Sequence, residues 1–256
     1  MLLPFLLMNR FLRLSLTVIL TLTGFSVGVE AAESGLRKLP APNAGGHLRL
    51  GLRDWAVSDG LGASPPSSWY ISEGVIKQTE NTIVNNKKAL KPDPTLEREG
   101  TMFVYQPGME FGDGEISLDI FCTDDDGVGV AFKWTGVSKY NLWYMDGQRH
   151  YRTLAVKNEF SYEALESNRR GFEMRRWYPV RIVMEGPKIT VFVNGQKEFE
   201  TYDGTHKKGT IALFCWGNSG ALFRDLKFVA AKKKAVTESP ETAKPRETAK
   251  PRKALK

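Results

Sequence analysis

Cysteine and histidine are scarce in this chain of 256 residues, with two of the first and three of the second. His47, His150 and His206 stand far apart, and none shares a ligand spacing with Cys122 or Cys215, which argues against a zinc centre. A sustained 3.6-residue period is also missing between Leu48 and Ala230, and a helical bundle is excluded with it. Beyond the N-terminus no apolar run is long enough to span a membrane as a helix. Positive charge is missing from the body as well, although the chain totals +7. From Ala231 onward nine Lys or Arg face three Glu, and residues 1–31 contribute one further positive charge. Residues 32–230 are therefore left without net charge, which is unlike a nucleic-acid surface.

What is present at the two ends differs from the body. Arg10 and Arg13 precede the apolar run Leu14–Val29, which closes on Val29-Glu30-Ala31. Positive, then apolar, then small is the order of a secretory signal, and it predicts cleavage near Ala31 with a secreted or periplasmic product. Residues 32–47 read as a linker and 48–230 as one domain. Residues 231–256 form a basic tail in which "ETAKPR" occurs twice in tandem. Lysine, proline and alanine without large apolar side chains predict disorder. The tail suits contact with an acidic surface, and a solvated tail with no partner is the other reading. In an exported chain, Cys122 and Cys215 suggest a disulfide; two buried free thiols are the alternative.

The body reads as sheet. Ile116, Leu118, Ile120 and Cys122 alternate with Ser117, Asp119 and Phe121, and other short segments between Val75 and Val229 repeat the pattern between turn residues. Asn194-Gly195 is the strongest hairpin signal, joining "ITVFV" to "QKEFE" through a type I′ turn. About a dozen strands suggest an all-β, two-sheet antiparallel jelly-roll sandwich. Tyr162–Ser167 is the one helical candidate.

Several motifs in order, "SSWYISEGVIKQTENT", "SLDIFCTDDDGVGVAFKW", "YNLWYMDGQRHYRTL", "WYPVRIVMEGPKITVFVNGQ" and "GTIALFCWGNSGALFRDLKF", resemble the concanavalin A-like lectin/glucanase superfamily. The bacterial laminin G-like and thrombospondin C-terminal-like domains are the nearer likeness. The 3-keto-disaccharide hydrolase domains and fructan-binding modules are more distant. The resemblance implies a jelly roll whose concave sheet meets carbohydrate, in many cases as a module without chemistry of its own. Leu142 and Lys133 stand where close relatives carry arginine, so a relative's ligand does not transfer.

Three consecutive aspartates, Asp124, Asp125 and Asp126, launch the strand from Val128. A tight turn between Ile116–Cys122 and Val128–Trp134 is the favoured reading, with calcium at Asp124 and Asp126 as the alternative. The superfamily's catalytic Glu-x-Asp-x-x-Glu is absent, since Glu115-Ile116-Ser117-Leu118-Asp119 has no second glutamate. "GNSGA" lacks the second glycine of a nucleophile elbow. Asp119, Lys133, Tyr144, Arg152 and Trp216, with Phe214, are the candidate sugar-binding residues, because aromatic faces suit pyranose rings and charged groups suit hydroxyls. No catalytic residue and no cofactor other than that calcium is expected. The expectation is a carbohydrate- or matrix-binding module, with a hydrolase or lyase acting on a sugar derivative as the alternative.

Overall fold

The computed structural model describes residues 46–60, 63–84, 99–159 and 161–231. The expected signal segment, linker and basic tail lie almost wholly outside them. Sixteen strands are described: β1 Trp55–Asp59, β2 Ala63–Ser64, β3 Trp69–Ser72, β4 Val75–Gln78, β5 Ile83–Val84, β6 Thr101–Tyr105, β7 Gly114–Cys122 and β8 Gly127–Gly136. The chain continues through β9 Lys139–Asp146, β10 Tyr151–Asn158, β11 Ser161–Asn168, β12 Trp177–Glu185, β13 Lys188–Val193, β14 Gln196–Tyr202, β15 Thr210–Trp216 and β16 Ala221–Ala230.

Two antiparallel seven-stranded sheets form the expected jelly-roll sandwich. The front sheet runs β1-β6-β15-β8-β9-β10-β11, the back sheet β14-β13-β12-β7-β16-β4-β3, and β2-β5 is a small separate ribbon. Ile116, Leu118 and Ile120 of β7 join Val180, Ile182 and Met184 of β12 in one core with Val130, Phe132, Trp143 and Leu154 of the front sheet. Strict alternation on β7 is what lets one strand bury one side and present the other. The Asn194-Gly195 hairpin is present, with φ of 52° and 76° at its two residues, the signs a type I′ turn needs.

Three sequence expectations change. Tyr162–Ser167 lies within strand β11, not a helix, and pairs with β10 in a register that sets Tyr162 against Lys157 and Glu163 against Val156. A helix that short gains too little from its own hydrogen bonds, whereas the edge of β10 supplies a full ladder. The aspartate turn is not a reversal within one sheet. β7 pairs with β12 and β16 while β8 pairs with β15 and β9, so residues 123–126 carry the chain from the back sheet to the front. Finally, Cys122 and Cys215 are free thiols, and the expected disulfide is not formed. They lie on opposite sheets in the same apolar core, and burial pushes both thiols up. A thiol held protonated exchanges slowly, because the thiolate is the reactive form.

Candidate functional site

Three connections meet at one end of the sandwich: residues 123–126 between β7 and β8, 147–150 between β9 and β10, and 217–220 between β15 and β16. Backbone bonds tie them together. Gly147 and Gln148 donate to the Asp125 carbonyl at 2.8 and 2.7 Å, and Thr123 donates to that of Gly220 at 3.0 Å. Asn218 reinforces the junction, its Nδ2 donating to the carbonyls of Asp126 at 2.9 Å and Asp124 at 3.2 Å. The Ser219 amide and hydroxyl both donate to Asp124 Oδ2, at 2.9 and 2.7 Å. At Gly217 φ is 62°, and a Cβ would come within 3.2 Å of the Asp126 carboxylate, so this turn requires glycine.

Arg149 crosses this rim. Its Nη1 lies 3.2 Å from both Asp126 Oδ1 and Asp146 Oδ2, and its guanidinium sits 4.9 Å above the Trp216 ring. Two carboxylates and an aromatic face thus fix one planar cation, the arrangement in which arginine loses least freedom on binding a ligand. Burial pushes the Asp126 carboxyl up, with Arg149 acting against it. Behind the rim the outer face of the front sheet is aromatic. Tyr144 packs edge-on against Phe214 (5.8 Å) and Tyr151 (5.7 Å). Burial and the bond with Tyr144 hold the Tyr162 hydroxyl well above its usual range.

Ligand oxygens of Asp124, Asp125 and Asp126 all lie within 4.8 Å of one another, which is compatible with a cation. The donor set does not fit a dedicated one. Calcium wants six to eight oxygens, yet Asp124 is committed to Ser219 and Asp126 to a guanidinium whose charge opposes a second cation. The three aspartates instead organise the connections around them.

The five residues expected to bind sugar do not share a face. Tyr144 and Trp216 do lie together on the outer side of the front sheet, with Phe214. Asp119 is on the back sheet, its carboxylate 3.2 Å from Arg224. Arg152 is turned between the sheets: Nη1 meets Glu198 Oε1 at 2.9 Å and Nε donates to the Gly171 carbonyl, with the pair almost wholly buried. Lys133 is buried at a bulge in β8 with φ of 50°, and donates to the Gly186 carbonyl at 3.2 Å. Burial lowers its amine against the opposing pull of Asp113 and Asp203. Arg149, Asp146 and Asn218 escaped the sequence reading. The signal available for Asp146 and Arg149 was "DGQR", a hairpin turn carrying charge directly after an aromatic strand, and Asn218 lies within "GNSGA".

No curated protein matches the sequence. Among solved structures, the carbohydrate-binding module CBM66 from Bacillus subtilis superposes with a TM-score of 0.52 at 11% identity, covering 68% of this chain and 93% of that one. The Bacillus licheniformis beta-glucanase gives 0.49 at 8% identity, covering 72% and 95%. At such identity the first likeness speaks for the shared concanavalin A-like fold. Residues 52–229 match the profile of the 3-keto-alpha-glucoside-1,2-lyase-like domain, over nearly the whole of the two sheets, and the chain belongs to that family.

Proposed function

We propose that the domain is exported and binds a glycan at the rim formed by Trp216, Arg149 and Asn218, without cleaving it. The observation that carries this reading is the guanidinium of Arg149 held over Trp216 by two carboxylates. Ring and guanidinium together offer a flat apolar surface edged by donors, which suits a pyranose with its C–H face and its hydroxyls. The binding reading over the catalytic one is supported by the commitments of the acids. Asp126 and Asp146 neutralise Arg149, Asp124 holds Ser219, and Asp119 pairs with Arg224 on the other sheet. None of these is left to act as one of two carboxylates dividing acid and base roles. No helix among the described residues is long and apolar enough to cross a membrane. In the same reading the basic tail holds the exported protein near acidic surfaces.

A glycan array probed with wild type and with Trp216→Ala tests the proposal. Losing the platform should weaken binding by about ten- to a hundredfold. An unchanged array profile would remove Trp216 from the site.

One observation favours a lyase or hydrolase instead: Asp126, whose carboxyl is pushed up by burial, lies beside a fixed cation. A carboxyl of that kind can exchange a proton, and a guanidinium can stabilise the enolate oxygen that a keto group becomes when the carbon beside it loses a proton. Time-dependent product from a 3-keto-glucoside, lost in Asp126→Asn, would establish that reading and displace the first.

A further inference from the structure

The buried ion pair Arg152–Glu198 takes no part in the rim, yet it reaches the rim through one loop. Glu198 is the extra residue of a bulge in β14, set between Lys197 opposite Phe192 and Phe199 opposite Val191. A bulge re-aims one side chain, and this one sends a carboxylate inward from the edge of the back sheet. Its Oε1 accepts from Arg152 Nη1 at 2.9 Å and from Asn168 Nδ2 at 3.3 Å, and the side chain is only 3% exposed. Its Oε2 has no hydrogen-bond partner among the described residues. Two charges withdrawn from water, with one oxygen left unsatisfied, contribute little net stability. What the pair does supply is position.

A second edge of the Arg152 guanidinium grips the connection between β11 and β12. Nε donates to the Gly171 carbonyl at 3.0 Å, and the Arg170 amide donates to Asn168 Oδ1 at 3.0 Å. Both residues that hold Glu198 therefore also hold residues 168–172. That stretch packs directly on the turn between β9 and β10. A Cβ on Gly171 would come within 3.0 Å of His150 Cα and 3.1 Å of the Asp146 carbonyl oxygen. One on Gly147 would come within 3.2 Å of the Phe172 carbonyl oxygen and 3.3 Å of its ring. Segments this close transmit a displacement, because nothing compressible lies between them. On its other side the turn donates from Gly147 and Gln148 to the Asp125 carbonyl. The turn that carries Arg149 is thus clamped between residues 123–126 and residues 171–172.

We propose that Arg152 and Glu198 are positioning residues for the rim. Through Gly171 and Phe172 they hold the 147–150 turn where the Arg149 guanidinium meets the Trp216 ring, and without them cation and ring part. The consequence for sugar binding rests on the rim reading, whereas the effect on Arg149 and Trp216 requires no ligand.

The test follows the indole N–H signals of the full chain by NMR, with no sugar present, and compares them with melting temperatures. Trp216→Phe identifies the Trp216 signal among those of the six tryptophans, and Arg149→Ala marks where it moves when the cation is removed. Arg152→Lys keeps a charge for Glu198 but lacks the planar fork that serves Glu198 and Gly171 together. It should melt close to wild type and still shift the Trp216 signal toward its position in Arg149→Ala. Arg152→Met with Glu198→Leu, which removes both charges, should do the same. A pair that only stabilised the fold would leave the signal in place in both. A signal that stays at the wild-type position in the paired variant, or one that Arg149→Ala itself does not move, would overturn the proposal. Should the paired variant not fold, a wild-type signal in Arg152→Lys overturns it equally. Failure of the rim reading looks different: the shifts appear, and no glycan on the array binds.

Discussion

The two outer faces of the sandwich are built from strands of the same kind and have opposite character. On the front sheet the outer side chains Met102, Val104, Leu142, Tyr144 and Phe214 are as buried as the core between the sheets. On the back sheet the outer side chains are half-exposed and ion-paired, as with Asp119–Arg224 and Glu115–Arg181. β9 and β15 consequently read as nearly continuous apolar runs, while β7 and β12 alternate. A strand buried on both sides needs apolar residues at every position, and one with a wet side needs them at alternate positions. The run of apolar residues is therefore the mark of the face on which the rim site is built.

The largest contrast should appear on truncating a ring on each face. Phe214→Ala removes a ring buried on the outer side of the front sheet and should cost about 3–5 kcal/mol. Phe121→Ala, on the back sheet, should cost about 1 kcal/mol, because that ring is only partly withdrawn from water. Urea denaturation of the two variants measures the difference directly, and equal losses would break the contrast.

Ion pairs sharpen the same comparison. Arg152→Ala leaves Glu198 buried between the sheets without its cation and should cost about 3–5 kcal/mol. Replacing both partners, as Arg152→Met with Glu198→Leu, should recover most of that loss. Arg181→Ala breaks a half-exposed pair on the back sheet and should cost less than about 1 kcal/mol.

The smallest effect is a pH dependence at the rim. Burial raises the Asp126 carboxyl above its ordinary value of 3.8, so the folded protein holds this proton at a pH where the unfolded chain has released it. Stability relative to Asp126→Asn should then decline as pH rises through the window just above 3.8, and should become independent of pH near neutrality. Denaturation series of both proteins across that window would show the slope, and a slope of opposite sign would mean that Arg149 outweighs burial.

Much of the fold was legible because alternation is a local property. β15 was readable to the residue as Thr210–Trp216, and Asn194-Gly195 declared its own hairpin. What could not be read was which strands neighbour one another. Asp119 has the same outward parity as Trp216, yet β7 belongs to the back sheet, so a pattern that fixes the face of a strand left its sheet open. Arg152 failed for a different reason. A charged residue on a strand suggests an outward side, but the buried Glu198 draws it between the sheets. Lys133 sits at a bulge, where the period of two is interrupted and parity carries no information. Arg149 was missed because the rim is assembled from three connections distant in sequence, and only their meeting gives the guanidinium its two carboxylates and its ring.

We propose that the rim recognises a sugar through Trp216 and Arg149 and leaves it intact. The most direct measurement is NMR of a panel of oligosaccharides and 3-keto-glucosides incubated with wild type and with Trp216→Ala, following ligand line-broadening and product signals in the same sample. Wild type should broaden at least one glycan, Trp216→Ala should not, and no product should appear over time. Product formation by wild type, or broadening that persists in Trp216→Ala, would contradict it.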